Sequence, residues 1–234
     1  MSECPLVPAP GIEYCENTLP VRGRFSIPKR CFRLKGHEGR CSDFGFLRHL
    51  ASVAPRVSNK IKRDATKTTG AAWLSADAGP NRIDRWAMLL SDDELLEHGI
   101  DMAALSEGVQ AKLREKAATY DQCIEVAQRL TWSAYGMLNS PRPPVRVQEY
   151  LETLFGPIVP AETACVICKG QLDFKAFDQA RRGKAAIETA HVDPRVHSAG
   201  NVGFAHRFCN IAQGPLTLSD FYDWMETVLQ RVGR

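Results

Sequence analysis

The chain of 234 residues is 44% apolar and 24% charged with a net charge of +3, an ordinary balance for a soluble globular protein with room for one large or two modest domains. No run approaches the roughly 18 to 20 apolar residues of a membrane span, and the opening Met1 to Pro5 has neither the basic nor the apolar region of a signal peptide. Nothing in the sequence points to a membrane, and a cytoplasmic protein is expected.

Two uneven distributions carry more information than the totals. Eight cysteines in a chain expected in the reducing cytosol read as metal ligands or buried thiols rather than a disulfide framework. Charge is also segregated. Residues 22–67 hold 13 Lys plus Arg against 3 acidic residues, whereas residues 92–125 hold 9 acidic residues against 3 basic ones. A basic segment this dense suggests a nucleic-acid phosphate surface, because each neutralised phosphate releases condensed counterions. The competing explanation is a solvated face balanced by the acidic segment.

Residues 1–45 are rich in turn formers, among them Pro5, Pro8, Pro10, Gly11, Pro20 and Gly23. A stretch with so few apolar residues needs a staple. Cys4, Cys15, Cys31 and either Cys41 or His37 can supply one tetrahedral zinc site, although their spacing matches no tight knuckle. Phe44, Leu47, Leu50 and Val53 then recur at three-residue steps until Pro55 interrupts. The basic stretch after it, with Arg56, Lys60, Lys62, Arg63 and Lys67, is poor in apolar residues and is expected to be a phosphate-contacting arm. Residues 75–84 read as a loop around Gly79-Pro80.

The middle of the chain is helical. Ser91 and Glu94 form a capping box before Leu95 and Leu96, and Gly99 closes that short helix. One longer helix is expected over 106–138, where Val109, Leu113, Ala117, Tyr120, Ile124, Ala127, Leu130, Ala134 and Met137 trace one face. Cys123 lies beside that face and reads as a buried thiol, and Trp86 and Trp132 read as core. Ser140 to Pro144 makes a stiff linker and the best domain boundary. A short helix follows over 147–155.

The terminal stretch carries the chemistry. Cys165-x-x-Cys168 and His206-x-x-Cys209 are two half-sites that together form a Cys3His zinc site of the knuckle type. Between them, 185–192 reads as a strand, 193–200 as a loop and 201–205 as a second strand, with Asn210 opening a short helix stopped by Gly214-Pro215.

This order, with His191 at the end of the first strand, Pro194 three residues later, Asn201 nine residues before Asn210, and Cys209-Asn210 leading to Gly214, resembles the HNH or ββα-metal nuclease family over residues 160–216. The resemblance implies that His191 is the general base, that Asn201 holds the His191 ring through a backbone or side-chain bond, and that Asn210 binds a catalytic divalent ion, Mg2+ or Mn2+. Those residue types suit the work: a neutral imidazole can take a proton from water, and a hard cation prefers an amide oxygen. The family places an aspartate directly before the histidine, and this chain has Ala190 there. Glu188, two residues earlier on the same strand face, is the expected replacement, with Asp193 and His197 as further candidates. Arg195 and Arg207 are near enough in sequence to hold a phosphate.

The expected architecture is therefore α+β, with an irregular zinc-bound N-terminal segment, a mostly helical middle and a zinc-stapled ββα-metal module. Its divisions are a basic DNA-recognition region at 1–69, a helical region at 70–145 and a nuclease domain at 146–234. The expected activity is that of a restriction-type endonuclease on double-stranded DNA, with one or two structural zinc ions and a possible homodimer. The alternatives are a phage-type homing or structure-specific nuclease and a catalytically inactive zinc-dependent DNA-binding protein.

Overall fold

The computed structural model describes residues 15, 17–19, 29–30, 42–68, 83–181 and 184–234. Of the expected N-terminal zinc ligands only Cys15 is among them, so that site lies outside the described residues. Two short strands, β1 (Thr18–Leu19) and β2 (Lys29–Arg30), pair antiparallel ahead of the helical part.

A 3-10 turn at Gly45–Leu47 runs into α1 (Arg48–Val53), and α2 (Pro55–Thr66) follows after one residue. The expected open arm after Pro55 is instead a helix. Pro55 occupies the first turn, where a missing N–H is harmless and the fixed φ suits a helix. Val57, Ile61 and Ala65 recur at four-residue steps and are all buried, so a stripe of three apolar residues is enough to dock α2 when its neighbours supply the rest of the core.

After the 3-10 segment Arg85–Leu89 come α3 (Asp92–Glu97), with the Ser91–Glu94 capping box formed, and α4 (Glu107–Glu115). Gly99 closes α3 with φ of 70°, a left-handed value that glycine adopts without Cβ strain. The single helix expected over 106–138 is two. Residues 116–119 break it, and α5 (Tyr120–Tyr135) restarts through a second capping box in which Thr119 accepts from the Gln122 N–H and the Gln122 side chain accepts from the Thr119 N–H. Two helical segments whose apolar faces are nearly in phase are easily read as one, and only the Thr-x-x-Gln start distinguishes them.

The helix α6 (Val145–Phe155) follows the Pro-rich segment. The remainder is four short strands and then two helices: β3 (Ala180–Arg181), β4 (Lys184–Ala185), β5 (Ile187–His191), β6 (Val202–His206), α7 (Arg207–Gln213) and α8 (Leu218–Arg231). β5 and β6 form an antiparallel hairpin in which Ala190 faces Gly203 and His191 faces Val202. Gly214, with φ of 58°, stops α7, and Thr217 caps α8 by accepting from the Asp220 N–H.

The core is centred on α5. Cys123, Ile124, Ala127, Leu130 and Ala134 are fully buried, and one hydrophobic cluster runs from Phe44 ahead of α1 through α5 to Phe204 on β6 and Phe221 on α8. Residues on both sides of the 140–144 segment belong to it. Burial pushes the Cys123 thiol up to about 12, which keeps it protonated and inert. A second, smaller cluster joins Ile83, Met88, Leu95, Ile100 and Leu113. Trp86 is buried, whereas Trp132 is only partly so, donating to the Gly156 carbonyl at 2.9 Å under the Arg129 guanidinium. Among the described residues no helix is long and apolar enough to cross a membrane.

Candidate active site

The two Cys/His half-sites meet. Cys165, Cys168, His206 and Cys209 bring their ligand atoms within 4.8 Å of one another, and among the described residues they are the group of Cys, His, Asp and Glu side chains able to hold a metal ion. The first half-site is a tight turn: the Cys165 N–H donates to the Gly170 carbonyl at 2.8 Å, the Lys169 N–H to the Cys165 carbonyl at 2.9 Å, and Lys169 has φ of 60°. The second is made by the step from β6 into α7, which puts His206 and Cys209 on the first turn. The knuckle also packs directly on β6. A Cβ at Gly203 would lie 2.3 Å from Val166 Cγ1, so glycine is required there.

The donor set fits zinc. Burial and the neighbouring sulfurs push Cys209 up to about 12, because three thiolates crowd unfavourably without a cation between them. Burial also opposes the Cys168 thiolate, but the Gly170 amide and the His206 ring more than offset it and bring Cys168 down to about 7. A tetrahedral dication would resolve this competition by ionising all three sulfurs.

His191 stands at the end of β5, partly buried. Burial first, then the Arg85 guanidinium and Lys116, drive it down to about 4, so it is neutral at physiological pH and can accept a proton. The expected role of Asn201 needs correcting in its geometry. Asn201 does not touch the His191 ring: its Oδ1 accepts from the Asp193 N–H at 2.8 Å, and its Nδ2 donates to the Asp193 and Val196 carbonyls at 2.7 and 2.6 Å. Asn201 therefore holds the loop after β5. The ring itself meets His197, with His191 Nε2 and His197 Nδ1 3.1 Å apart. Gln213 on α7 donates to the His191 carbonyl at 2.9 Å and fixes the end of the strand.

The helix α2 is joined to this strand by side chains. Lys60 Nζ donates to Glu188 Oε2 at 2.8 Å and to Asp64 Oδ2 at 2.9 Å, the Thr189 hydroxyl donates to Asp64 Oδ2 at 3.0 Å, and His197 Nε2 lies 2.8 Å from the Ala65 carbonyl. Consecutive strand residues point to opposite faces. A helix that reaches both Glu188 and Thr189 must stand beside an edge of β5, and β6 occupies the other edge. Asp64 is buried, which works against its charge, but Lys60 and Arg63 outweigh that and lower its pKa.

Two expected oxygen ligands have different surroundings. The Asn210 side chain, on α7, has no hydrogen-bond partner among the described residues. The Glu188 carboxylate is held between two cations, Lys60 and Arg207, the latter 2.7 Å from Oε1. Ala190 is buried and offers no ligand atom. A hard divalent ion thus finds one open amide and a carboxylate already neutralised, which is a partial fit.

The candidate DNA-contacting residues also divide. Lys60 is buried in the ion pairs just described and is not on a surface, which corrects the expectation that it contacts phosphate. Arg63 is paired with Asp64 at 2.7 Å and Lys67 with Asp84 at 2.6 Å. Arg56, Lys62 and Arg195 are exposed; Arg56 is only loosely paired with Asp178 at 3.9 Å, and Lys62 lies over the Phe44 ring. The residues that sequence reading did not single out are Asp64, Thr189 and the Ala65 carbonyl. No local pattern marks them, because the partner that joins α2 to β5 and its loop lies more than a hundred positions away.

Residues 43–209 match the family described as DraIII. A solved structure described as the crystal structure of a type II restriction endonuclease is 44% identical to this chain with a TM-score of 0.79, and the match covers 95% of this chain and 99% of that one. No curated protein matches.

Proposed function

Because this chain belongs to the DraIII family, we propose that it is a restriction-type endonuclease that hydrolyses phosphodiester bonds in double-stranded DNA, with His191 as the general base and one divalent metal ion. The observation that carries the reading is the end-to-end likeness to a type II restriction endonuclease at 44% identity. The family match over residues 43–209 spans β5, β6 and both Cys/His half-sites. The chemistry is supported by a neutral imidazole at a strand end with an open amide, Asn210, on the following helix. The strand, strand, helix order of β5, β6 and α7 supports reading it as an HNH site.

In this reading zinc at Cys165, Cys168, His206 and Cys209 is structural. The catalytic ion, Mg2+ or Mn2+, would be held by Asn210 with Glu188 as the nearest strand carboxylate, and it would supply charge neutralisation at the scissile phosphate. Arg207 is the cation suited to leave Glu188 for phosphate, since a guanidinium pairs with two phosphate oxygens as readily as with a carboxylate. Arg56, Lys62 and Arg195 contribute phosphate contacts. Two copies acting together would cut both strands, and α8 offers a surface for that. Its Trp224, Met225 and Leu229 are exposed, as is Val232 just past its end, with Asp220 and Asp223 in its first half and Arg231 and Arg234 at its other end. Antiparallel pairing of α8 with its twofold mate would join the apolar faces and set acidic against basic ends.

The second reading, an inactive zinc-dependent DNA-binding protein, is favoured by one observation: Ala190 stands where a carboxylate is expected and Glu188 is already paired twice. Incubation of the purified protein with Mg2+ or Mn2+ and phage genomic DNA, modified and unmodified, separates the two. Cleavage is expected, and His191→Ala should lower it by about a hundredfold or more while leaving DNA binding intact, the scale of removing a general base. Undiminished cleavage by His191→Ala would sink the assignment of the base, and absence of cleavage on every DNA would favour the binding protein.

A further inference from the structure

We propose that His197 is a positioning residue that fixes the tautomer and orientation of His191 and ties the base to α2; this deepens the reading of His191 as general base. The argument runs outward from one atom. The Ala65 carbonyl can only accept, so His197 Nε2, at 2.8 Å from it, carries a proton. His197 is buried, and burial first, then the Arg85 guanidinium and the His191 ring, drive it down to about 3. Its ring is therefore neutral, and with Nε2 protonated its Nδ1 is a bare acceptor. His191 Nε2, 3.1 Å from that acceptor, must then be the donor. The consequence is that the lone pair of His191 lies on Nδ1, and this is the nitrogen available to take a proton from water.

Geometry accounts for why a side chain does this work. Asn201 bonds the Asp193 and Val196 carbonyls and so closes the loop that carries His197. His197 spans from that loop to the last turn of α2, whose Lys60 and Asp64 already hold Glu188 and Thr189. The base is thus referenced to two elements at once, its own loop and the helix bearing exposed Lys62, and a rotation of the ring would break two bonds in series.

The test uses the full-length protein labelled with 15N. Two-bond proton–nitrogen spectra of the imidazoles should show His191 and His197 each as a single neutral Nε2–H tautomer at pH 7. In His197→Ala the His191 signals should move to the averaged values of a mixed tautomer. With saturating DNA and Mn2+, single-turnover cleavage by His197→Ala should fall about 10- to 100-fold, the usual scale for losing a group that orients a functional imidazole, with the Kd for DNA unchanged. His197→Asn places an acceptor at the Nδ1 position and should restore most of the rate. His197→Gln keeps a donor for the Ala65 carbonyl but not that acceptor and should not.

Retention of the Nε2–H tautomer of His191 in His197→Ala, or wild-type cleavage by that variant, would overturn the proposal. Equal rescue by Gln would do the same, because it would reduce His197 to a clasp on α2. Should His197→Ala fold poorly, the Asn and Gln pair decides. If the wild-type protein cut no DNA, the nuclease reading would fail while the tautomer spectra would still decide the positioning role.

Discussion

The Cys3His knuckle and the strand that ends in His191 meet in one hairpin, and they are held in different ways. At the knuckle, four ligand atoms within 4.8 Å come from two local half-sites. Around β5, the supports are single bonds from α2: Lys60 to Glu188, Asp64 to Thr189, the Ala65 carbonyl to His197. A metal can fix a structure by itself, because binding free energy becomes folding free energy. The strand has no such centre and depends on a helix more than a hundred residues earlier in the chain. The knuckle is therefore expected to fail as a unit, and the strand to fail one bond at a time.

The largest effect separates the two regions outright. Removing zinc, by a strong chelator or by Cys168→Ser, should unfold the knuckle and the hairpin packed on it through Gly203, with loss of tightly bound zinc on elemental analysis and loss of a cooperative thermal transition for this part. Cleavage should go with it. A chelator-treated protein that keeps its melting temperature would show that the four side chains are not a structural centre and would remove the basis of the comparison.

Next in size is Lys60→Met. Lys60 is the buried cation shared by Asp64 and Glu188, and removing it leaves Asp64 to Arg63 and Glu188 to Arg207, at a cost between about 1 kcal/mol and the about 3–5 kcal/mol of a buried charge with no partner left. Urea unfolding should show that loss with zinc content unchanged. The double variant Lys60→Met/Glu188→Gln should recover part of it, since a neutral partner no longer needs the cation. A loss below about 1 kcal/mol, the scale of an exposed pair, would mean that α2 does not hold the strand.

The same contrast explains what could be read from the sequence. Cys165, Cys168, His206 and Cys209 were legible because ligand spacing on a turn and at a helix start is local, and the β5–β6 hairpin was legible because alternation and a Pro-bearing loop are local too. The supports of His191 were not. Lys60 reads as one more basic residue in a basic segment, and nothing in its neighbours announces that its partner is Glu188. The expectation that Asn201 holds the His191 ring through a backbone or side-chain bond came from the family pattern; the Asn201 side chain bonds the loop after β5 instead, and His197 meets the ring. The break between α4 and α5 was missed for the opposite reason: its signal, Thr119 and Gln122, is local but was masked by continuous apolar periodicity.

Acid should affect the reaction strand in a defined window. His191 and His197 are held down to about 4 and about 3 by burial and by Arg85, against about 6.5 for an exposed imidazole. Between pH 6.5 and 4 the unfolded chain binds protons that the folded chain refuses, so stability rises with pH there and is lost as pH falls. The urea midpoint should drop from pH 7 to pH 5, and less so for His197→Asn, which removes one of the two imidazoles. In kcat/KM the acid limb should begin below pH 6.5, because the base is still neutral at that pH. A limb centred above 6.5 would place the base elsewhere.

The smallest effect tests whether α2 has a second face. Lys62 is exposed and lies over Phe44, two positions from both Lys60 and Asp64 and so on a different face of α2. Lys62→Ala should leave the melting temperature within about 1 °C, since exposed substitutions away from special features cost little. DNA binding should weaken similarly on all sequences, and the slope of log affinity against log salt should fall by about one, as expected when one phosphate contact is lost. Lys60→Met should show the reverse: a large stability loss and a salt slope unchanged in the fraction that remains folded. If both variants lowered the slope equally, the division of α2 into an inner face that holds β5 and an outer face that meets phosphate would be wrong, and Lys60 would have to leave its buried pairs when DNA binds.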